Sequence, residues 1–188
     1  GGKGTRLRAI TNDEIPKPMA PVAGKPILEW QIECLRRQGI QEIILIIGHL
    51  GHKIREYFGD GAAFGVKISY IEESEPLGTA GVLSMLPGPS FFLIFGDVLF
   101  DIDLERMRRF HEEKKAAATL FVHPNVHPFD SDLVVCDAAG RVQRFDSKHN
   151  VRDYWYQNCV NAGFYLRGLR TRRADRPHRP RHLLPHTG

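Results

Sequence analysis

The sequence predicts an α/β sandwich around a mostly parallel sheet, with antiparallel strands added late in the chain. Three observations carry this expectation. Short apolar runs bounded by glycine, EIILIIG at 42–48 and FFLIFGD at 91–97, read as buried strands. Amphipathic stretches of helical period alternate with such runs through the first two-thirds of the chain. The last third instead carries a hairpin signature, DLVVCDAAGRVQRFD at 132–146, in which two alternating runs flank a glycine-containing turn.

Taken in order, residues 1–26 are rich in Gly and Pro and read as loop. Residues 27–38 read as a helix, with Leu28, Ile32 and Leu35 on one face, Trp30 counted with its core, and Gly39 as the stop. HKIREYFGDG at 52–61 reads as a helix ending in glycines, and VKISYI at 66–71 as a strand. TAGVLSML at 79–86 is a short helix closed by Pro87. DIDLERMRRFHEEKK at 101–115 is a helix with Asp103 as its N-cap and Leu104, Met107 and Phe110 as its apolar stripe; its RRFHEEKK end reads as a solvated face. ATLFVH at 118–123 and CVNAGFYL at 159–166 complete the strands.

Composition narrows the function classes. The chain has 188 residues, enough for one domain with a real core. Its net charge of +4 belongs to the tail: seven Arg and one Asp fall in residues 167–188, so residues 1–166 are net negative. That argues against a nucleic-acid interface on the fold itself. The longest aliphatic run, Ile43 to Ile47, is far short of a membrane span. Cys34, Cys136 and Cys159 are scattered without a CxxC, which fits a reducing cytosol and a cytoplasmic protein. Cys34 is expected to be inert packing. The histidine pairs His49/His52 and His123/His127 find no third ligand and read as surface or loop residues.

The chemistry concentrates in a few loops. GGKGTRL at 1–7 offers backbone N–H groups with little side-chain obstruction, suited to phosphate oxygens, with Arg6 and Lys17 adding positive charge; a tight turn after a strand is the plain alternative. The loop lacks the GK[ST] ending of a Walker motif. Asp97 directly follows the strand FFLIF, at the rim where α/β proteins bind ligands, and is placed to hold Mg²⁺ or to cap a turn; Asp101 is undecided. EPLGTAG at 75–81 opens a short helix with small residues that admit a flat base. RFDSKHN at 144–150 puts Lys148 just after a strand, and NAGFYL follows closely.

GGKGTRL, IPKPMAPVAGKPILEW, EPLGTAG, GDVLFDIDL and VNAGFYL, in this order and spacing over residues 1–166, resemble the sugar-1-phosphate nucleotidyltransferases, most of all the mannose-1-phosphate and D-glycero-D-manno-heptose 1-phosphate guanylyltransferases. The resemblance implies a Rossmann-like three-layer α/β/α fold with a mostly parallel mixed sheet, here lacking its first strand. It implies transfer of a nucleotidyl group from an NTP, GTP favoured, to a sugar 1-phosphate of the mannose or manno-heptose type. Pyrophosphate leaves, and the NDP-sugar would serve cell-surface polysaccharide synthesis. By motif matching, Gly1, Gly2, Gly4 and Thr5 would cradle the triphosphate, Arg6 would stabilise the leaving pyrophosphate, and Lys17 would bridge to the α-phosphate. Asp97 would bind Mg²⁺, and Leu77, Gly78 and Thr79 would line the base pocket. Lys148 would hold the sugar phosphate, with Asn161 and Gly163 at the sugar. HPNVHPFDSDL at 123–133 resembles members fused to a haloacid-dehalogenase-type phosphatase, which implies such a partner domain in the full-length gene product.

Two departures define an alternative. The family often has Glu-Lys-Pro where this chain has Ser147, Lys148 and His149, and its late second metal-binding Asp has no counterpart here. A catalytically impaired nucleotide- or sugar-phosphate-binding protein of the same fold is therefore the second reading. The nucleotidyltransferase domain is expected to span 1–166 and to be truncated at both ends, with an apolar strand of about five residues before Gly1. Residues 167–188, where apolar periodicity vanishes, are expected to be a disordered or frame-shifted basic tail.

Overall fold

The computed structural model describes residues 14–73, 86, 88, 90–152 and 157–168. The glycine-rich opening, the LGT turn at 77–79, the helix expected at 79–86 apart from Leu86, and the tail after Gly168 lie outside these residues, whereas Arg167, expected to begin the tail, ends a strand.

Part of the expected opening loop is ordered more tightly than its composition indicated. Lys17–Met19 form a 3-10 turn, and β1 (Pro21–Val22) pairs antiparallel with β2 (Lys25–Pro26). Ala23 and Gly24 between them have φ of 49° and 88°, the geometry of a tight hairpin turn. Such a two-residue ladder is too short to leave an alternation in the sequence. Helix α1 (Ile27–Arg37) follows, with Glu29 in its first turn and Arg36 and Arg37 in its last, each sign matched to the helix dipole. Gly39 takes φ +84° just past its end, and the Ile40 amide donates back to the Leu35 carbonyl. Leu28, Ile32 and Leu35 are buried as expected. Trp30 is not core: its ring is half-buried, its Nε1 donates to the Val22 carbonyl at 2.8 Å, and Lys25 Nζ lies 3.7 Å from its centroid. Its indole therefore braces the hairpin.

A β–α–β unit comes next. β3 (Glu42–Ile47) and β4 (Lys67–Glu72) are parallel, in register from Glu42↔Lys67 to Ile47↔Glu72, and α2 (Gly51–Phe58) crosses between them. Leu28 and Ile32 of α1 pack with Ile47, Ile54, Phe58, Val66 and Ile68 into one core.

The second sheet has strand order β5-β9-β7-β8, with β6 also on β9, and its described pairs are all antiparallel. The strands are β5 (Phe91–Ile94), β6 (Ala118–His123), β7 (Leu133–Cys136), β8 (Val142–Asp146) and β9 (Val160–Arg167). The parallel pairing among the described residues is thus that of β3 with β4, and apart from the β1–β2 hairpin the antiparallel pairs involve late strands, as the sequence indicated. A second core joins Leu35 of α1 to Ile102, Leu104, Met107, Phe164 and Leu166, with Ile43 of β3 against it. Helix α1 therefore contributes to the cores of both sheets.

Helix α3 (Leu104–Glu113) starts where expected, the Asp103 carboxylate accepting from the Arg106 amide at 2.8 Å. Its buried stripe is Leu104, Met107 and His111, whereas Phe110 is exposed. His111 can be buried because its Nδ1 lies 2.8 Å from Thr119 Oγ1 on β6. The expected solvated face is thus interrupted by one buried imidazole.

Candidate functional site

Strand register places the sequence-predicted residues. On one side of β9, β5 runs from Phe91↔Arg167 to Ile94↔Phe164, and the Phe95 amide still donates to the Gly163 carbonyl at 2.9 Å. On the same side β7 joins β9 at Leu133↔Val160, and the Val134 amide donates to the Cys159 carbonyl. Between these contacts the sheet opens opposite residues 161 and 162. One lip of the opening is the end of β5, which leads into Asp97. The other is the start of β7, where Leu133 also pairs with Asp146 at the end of β8, two residues before Lys148. Asp97, Asn161, Gly163 and the Lys148 loop thus border one opening in the sheet.

Lys17 reaches the same place from the opening segment. Its Nζ lies 3.6 Å from Asp97 Oδ2, both side chains about a third exposed at 30% and 37%. An ion pair of such exposure contributes about 0–1 kcal/mol to stability, so its charges are within reach of a ligand at little cost to the fold. The approach is fixed by backbone packing: a Cβ on Gly96 would lie 2.9 Å from Pro18 Cγ. Glycine beside Asp97 is what lets the PKPM segment close on it.

Asp97 is held from below by α1. Gln31 is 4% exposed, and its Nε2 donates to the carbonyls of Phe95 (2.8 Å) and Val98, which bracket Gly96 and Asp97. Gln38 continues the strap: its Nε2 donates to the Ile102 carbonyl at 3.0 Å and its Oε1 accepts from the Leu104 amide at 2.9 Å. Cys34, between them, is buried with its Sγ 3.9 Å from the Phe100 carbonyl. These glutamines were not singled out from sequence. The signal was present, because Gln31 falls on the buried face with Leu28, Ile32 and Leu35, and a polar residue at a core position needs a partner.

Asn161 Nδ2 donates to the Tyr165 hydroxyl at 2.6 Å, and its Oδ1 accepts from the Gly163 amide at 3.1 Å. Gly163 has φ +70°, and a Cβ there would lie 2.6 Å from Phe95 Cδ2. Lys148 lies in the turn after β8, its backbone amide donating to Asp132 Oδ1 at 2.9 Å. The described residues also frame a cavity of about 310 Å³ at the carboxyl ends of β3 and β4, lined by Gly48, Gly51, His52, Arg55, Glu72 and Glu73. It contains none of the predicted site residues that the structure describes.

Asp97, its side chain 37% exposed, is a carboxylate that could hold a divalent cation such as Mg²⁺. That ion takes one or two protein carboxylates and completes its shell with water and substrate phosphates. Among the described residues no group of three His, Cys, Asp or Glu could make an all-protein site. Asp103 is engaged in capping α3. Among the described residues no helix is long and apolar enough to cross a membrane.

The chain is similar to known proteins over most of its length. A D-glycero-alpha-D-manno-heptose 1-phosphate guanylyltransferase of Campylobacter jejuni is 38% identical over 170 residues, covering 88% of this chain and 72% of its own. A UTP–glucose-1-phosphate uridylyltransferase of Synechocystis is 35% identical over 182 residues, and a probable mannose-1-phosphate guanylyltransferase of Arabidopsis thaliana is 36% identical over 178. The chain spans about half the length of these last two, 46% and 48%, while they cover 88% of it. Among solved structures, HddC from Yersinia pseudotuberculosis complexed with GMP-PN superposes with a TM-score of 0.71 at 26% identity, over 89% of this chain and 73% of that one. A putative glucose-1-phosphate thymidylyltransferase from Bacillus anthracis has the same fold, with a TM-score of 0.76 at 21% identity over 89% of this chain and 68% of that one. The family model described as "Nucleotidyl transferase" matches residues 1–167. The chain therefore belongs to the nucleotidyl transferase family, among its sugar-1-phosphate nucleotidyltransferases.

Proposed function

We propose that the chain carries the catalytic fold of an enzyme that transfers a nucleotidyl group from GTP to a mannose- or manno-heptose-type sugar 1-phosphate. The observation that carries this reading is the Lys17–Asp97 pair, 3.6 Å apart, at the lip of a sheet opening shared with Asn161 and Gly163. The guanine preference rests on the guanylyltransferase relatives, whereas a uridylyltransferase relative of similar identity keeps the base open to test.

In the reaction an anionic oxygen of the sugar phosphate attacks the α-phosphorus of the NTP. A new P–O bond forms, the bond to the β-phosphate bridging oxygen breaks, and pyrophosphate leaves with that electron pair. The nucleophile is already ionised, so positioning and charge neutralisation suffice. Lys17 holds the α-phosphate, where negative charge must be met in the transition state. Asp97 would hold Mg²⁺, which when bound neutralises phosphate charge. Lys148 binds the sugar phosphate, and Asn161 and Gly163 border the sugar. Arg6, the cradle of Gly1, Gly2, Gly4 and Thr5, and the base-lining Leu77, Gly78 and Thr79 keep the roles implied by motif matching. The product would supply cell-surface polysaccharide synthesis in the cytoplasm.

The test is pyrophosphate release from each of the four NTPs with mannose, glucose and manno-heptose 1-phosphates. GTP with a manno-configured sugar should be fastest; release with no sugar-phosphate dependence would refute the assignment. Ser147 and His149 around Lys148, in place of Glu and Pro, favour one second reading, a binding protein of the same fold. Saturable binding of GTP and sugar 1-phosphate without turnover would establish it instead.

A further inference from the structure

The most heavily bonded charged group among the described residues lies outside every motif that marked the family. Arg152 and Asp146 form a buried ion pair, their side chains 3% and 2% exposed and Arg152 Nε 3.1 Å from Asp146 Oδ2. The rest of the guanidinium is spent on main-chain carbonyls. Nη2 donates to Asp146 (2.8 Å) and Ser131 (2.7 Å), and Nη1 to Pro128 (2.6 Å). The other Asp146 oxygen accepts from Asn150 Nδ2 at 2.8 Å. The Asn150 amide in turn donates to the Ser147 carbonyl at 2.9 Å, closing a turn around Lys148.

Lys148 is therefore the apex of a short loop whose two ends, 146 and 152, are locked to each other. Its own amide is tied to Asp132, the residue before β7. A second pair of bonds continues the frame. Asn125 N donates to Asn158 Oδ1 at 3.2 Å, and Asn158 Nδ2 donates to the Asn125 carbonyl at 2.6 Å. Asn125 Nδ2 also reaches Ser131 Oγ at 2.8 Å. Residues 125–132 are thus bonded on one side to the Lys148 loop and on the other to the segment entering β9 just before Asn161.

We propose that Arg152 is a positioning residue for the sugar-phosphate side of the site, acting through Asp146 and the 125–132 segment on Lys148. The inference rests on the reading of Lys148 as the sugar-phosphate ligand. A guanidinium presents its donors in a fixed planar fork, which suits it to fixing several carbonyls in one geometry, and Lys cannot reproduce that fork. A lysine displaced by about an ångström costs a bound phosphate much of its contact, on the order of 100-fold in rate or affinity.

The test is titration of the intact chain with mannose 1-phosphate and, separately, with GTP. Arg152→Lys keeps the charge and loses the fork. Asp132→Ala, at an exposed residue, cuts the bond to the Lys148 amide without stranding a buried charge. Both variants should weaken mannose 1-phosphate binding by about 10–100-fold and leave GTP binding within about twofold, with Lys148→Ala as the reference loss. If Lys148→Ala weakens the sugar phosphate but Arg152→Lys and Asp132→Ala do not, the positioning role is refuted and the Lys148 reading stands. Equal losses for GTP and sugar phosphate would mark Arg152 as merely structural and refute it as well. Unchanged binding in Lys148→Ala, or no sugar-phosphate binding by the unaltered chain, would remove the Lys148 reading and the inference with it.

Discussion

Gly163 shows how narrowly single residues are constrained where the sheet opens. Its φ of +70° is left-handed, and a Cβ would be driven to 2.6 Å from the Phe95 ring. Gly163→Ala should destabilise the chain by about 1–3 kcal/mol, read by urea unfolding; an unchanged midpoint would mean that the ring moves away freely. Gln31 is the second such residue. Gln31→Met keeps the volume but leaves the Phe95 and Val98 carbonyls without their donor, at about 1–3 kcal/mol each. It should lower kcat of pyrophosphate release through Asp97, whereas the neighbouring core change Ile32→Val should cost about 0.5–1.5 kcal/mol in stability and leave kcat alone. Equal kcat in the two variants would contradict the strap. Asp97 and Lys17, which the structure places 3.6 Å apart, could be singled out from the sequence because each lies in a short local motif. Arg152 was not, since its partners at 128 and 131 are main-chain carbonyls more than twenty residues away, which no side-chain pattern records.

Among elements, the helices and strands with clear period were legible, and the exceptions were set by single long-range bonds. Phe110 was expected in the α3 stripe, but Thr119 gives His111 a partner and takes that place. In β8 Phe145 is 60% exposed while its neighbour Asp146, paired with Arg152, is buried. The β7–β8 turn offers a pH test. The Asp137 carboxyl is held below its ordinary value of 3.8, chiefly by the Arg141 amide, then by Ala139 and Gln143. A lowered folded-state pKa means that the contribution is present above the unfolded value and is lost as pH falls through the lower folded one. The Arg141 amide resonance should therefore shift at a pH below 3.8, and Asp137→Asn should abolish the shift. A midpoint at or above 3.8 would contradict the turn geometry.

At the scale of the molecule, the order of motifs disclosed the family, and the late antiparallel strands were visible as alternation. The opening on one side of β9 was not visible, because it arises from where β5 leaves and β7 joins, a matter of register rather than of residue type. That opening is bordered by Asp97, Asn161 and the turn that carries Lys148, and the Lys17 segment closes on Asp97. The most direct test of this account is pyrophosphate release from GTP and a manno-configured sugar 1-phosphate by the unaltered chain and by Asp97→Ala. The account predicts sugar-phosphate-dependent release that Asp97→Ala reduces by about 100-fold or more. Equal release by the two proteins would contradict it.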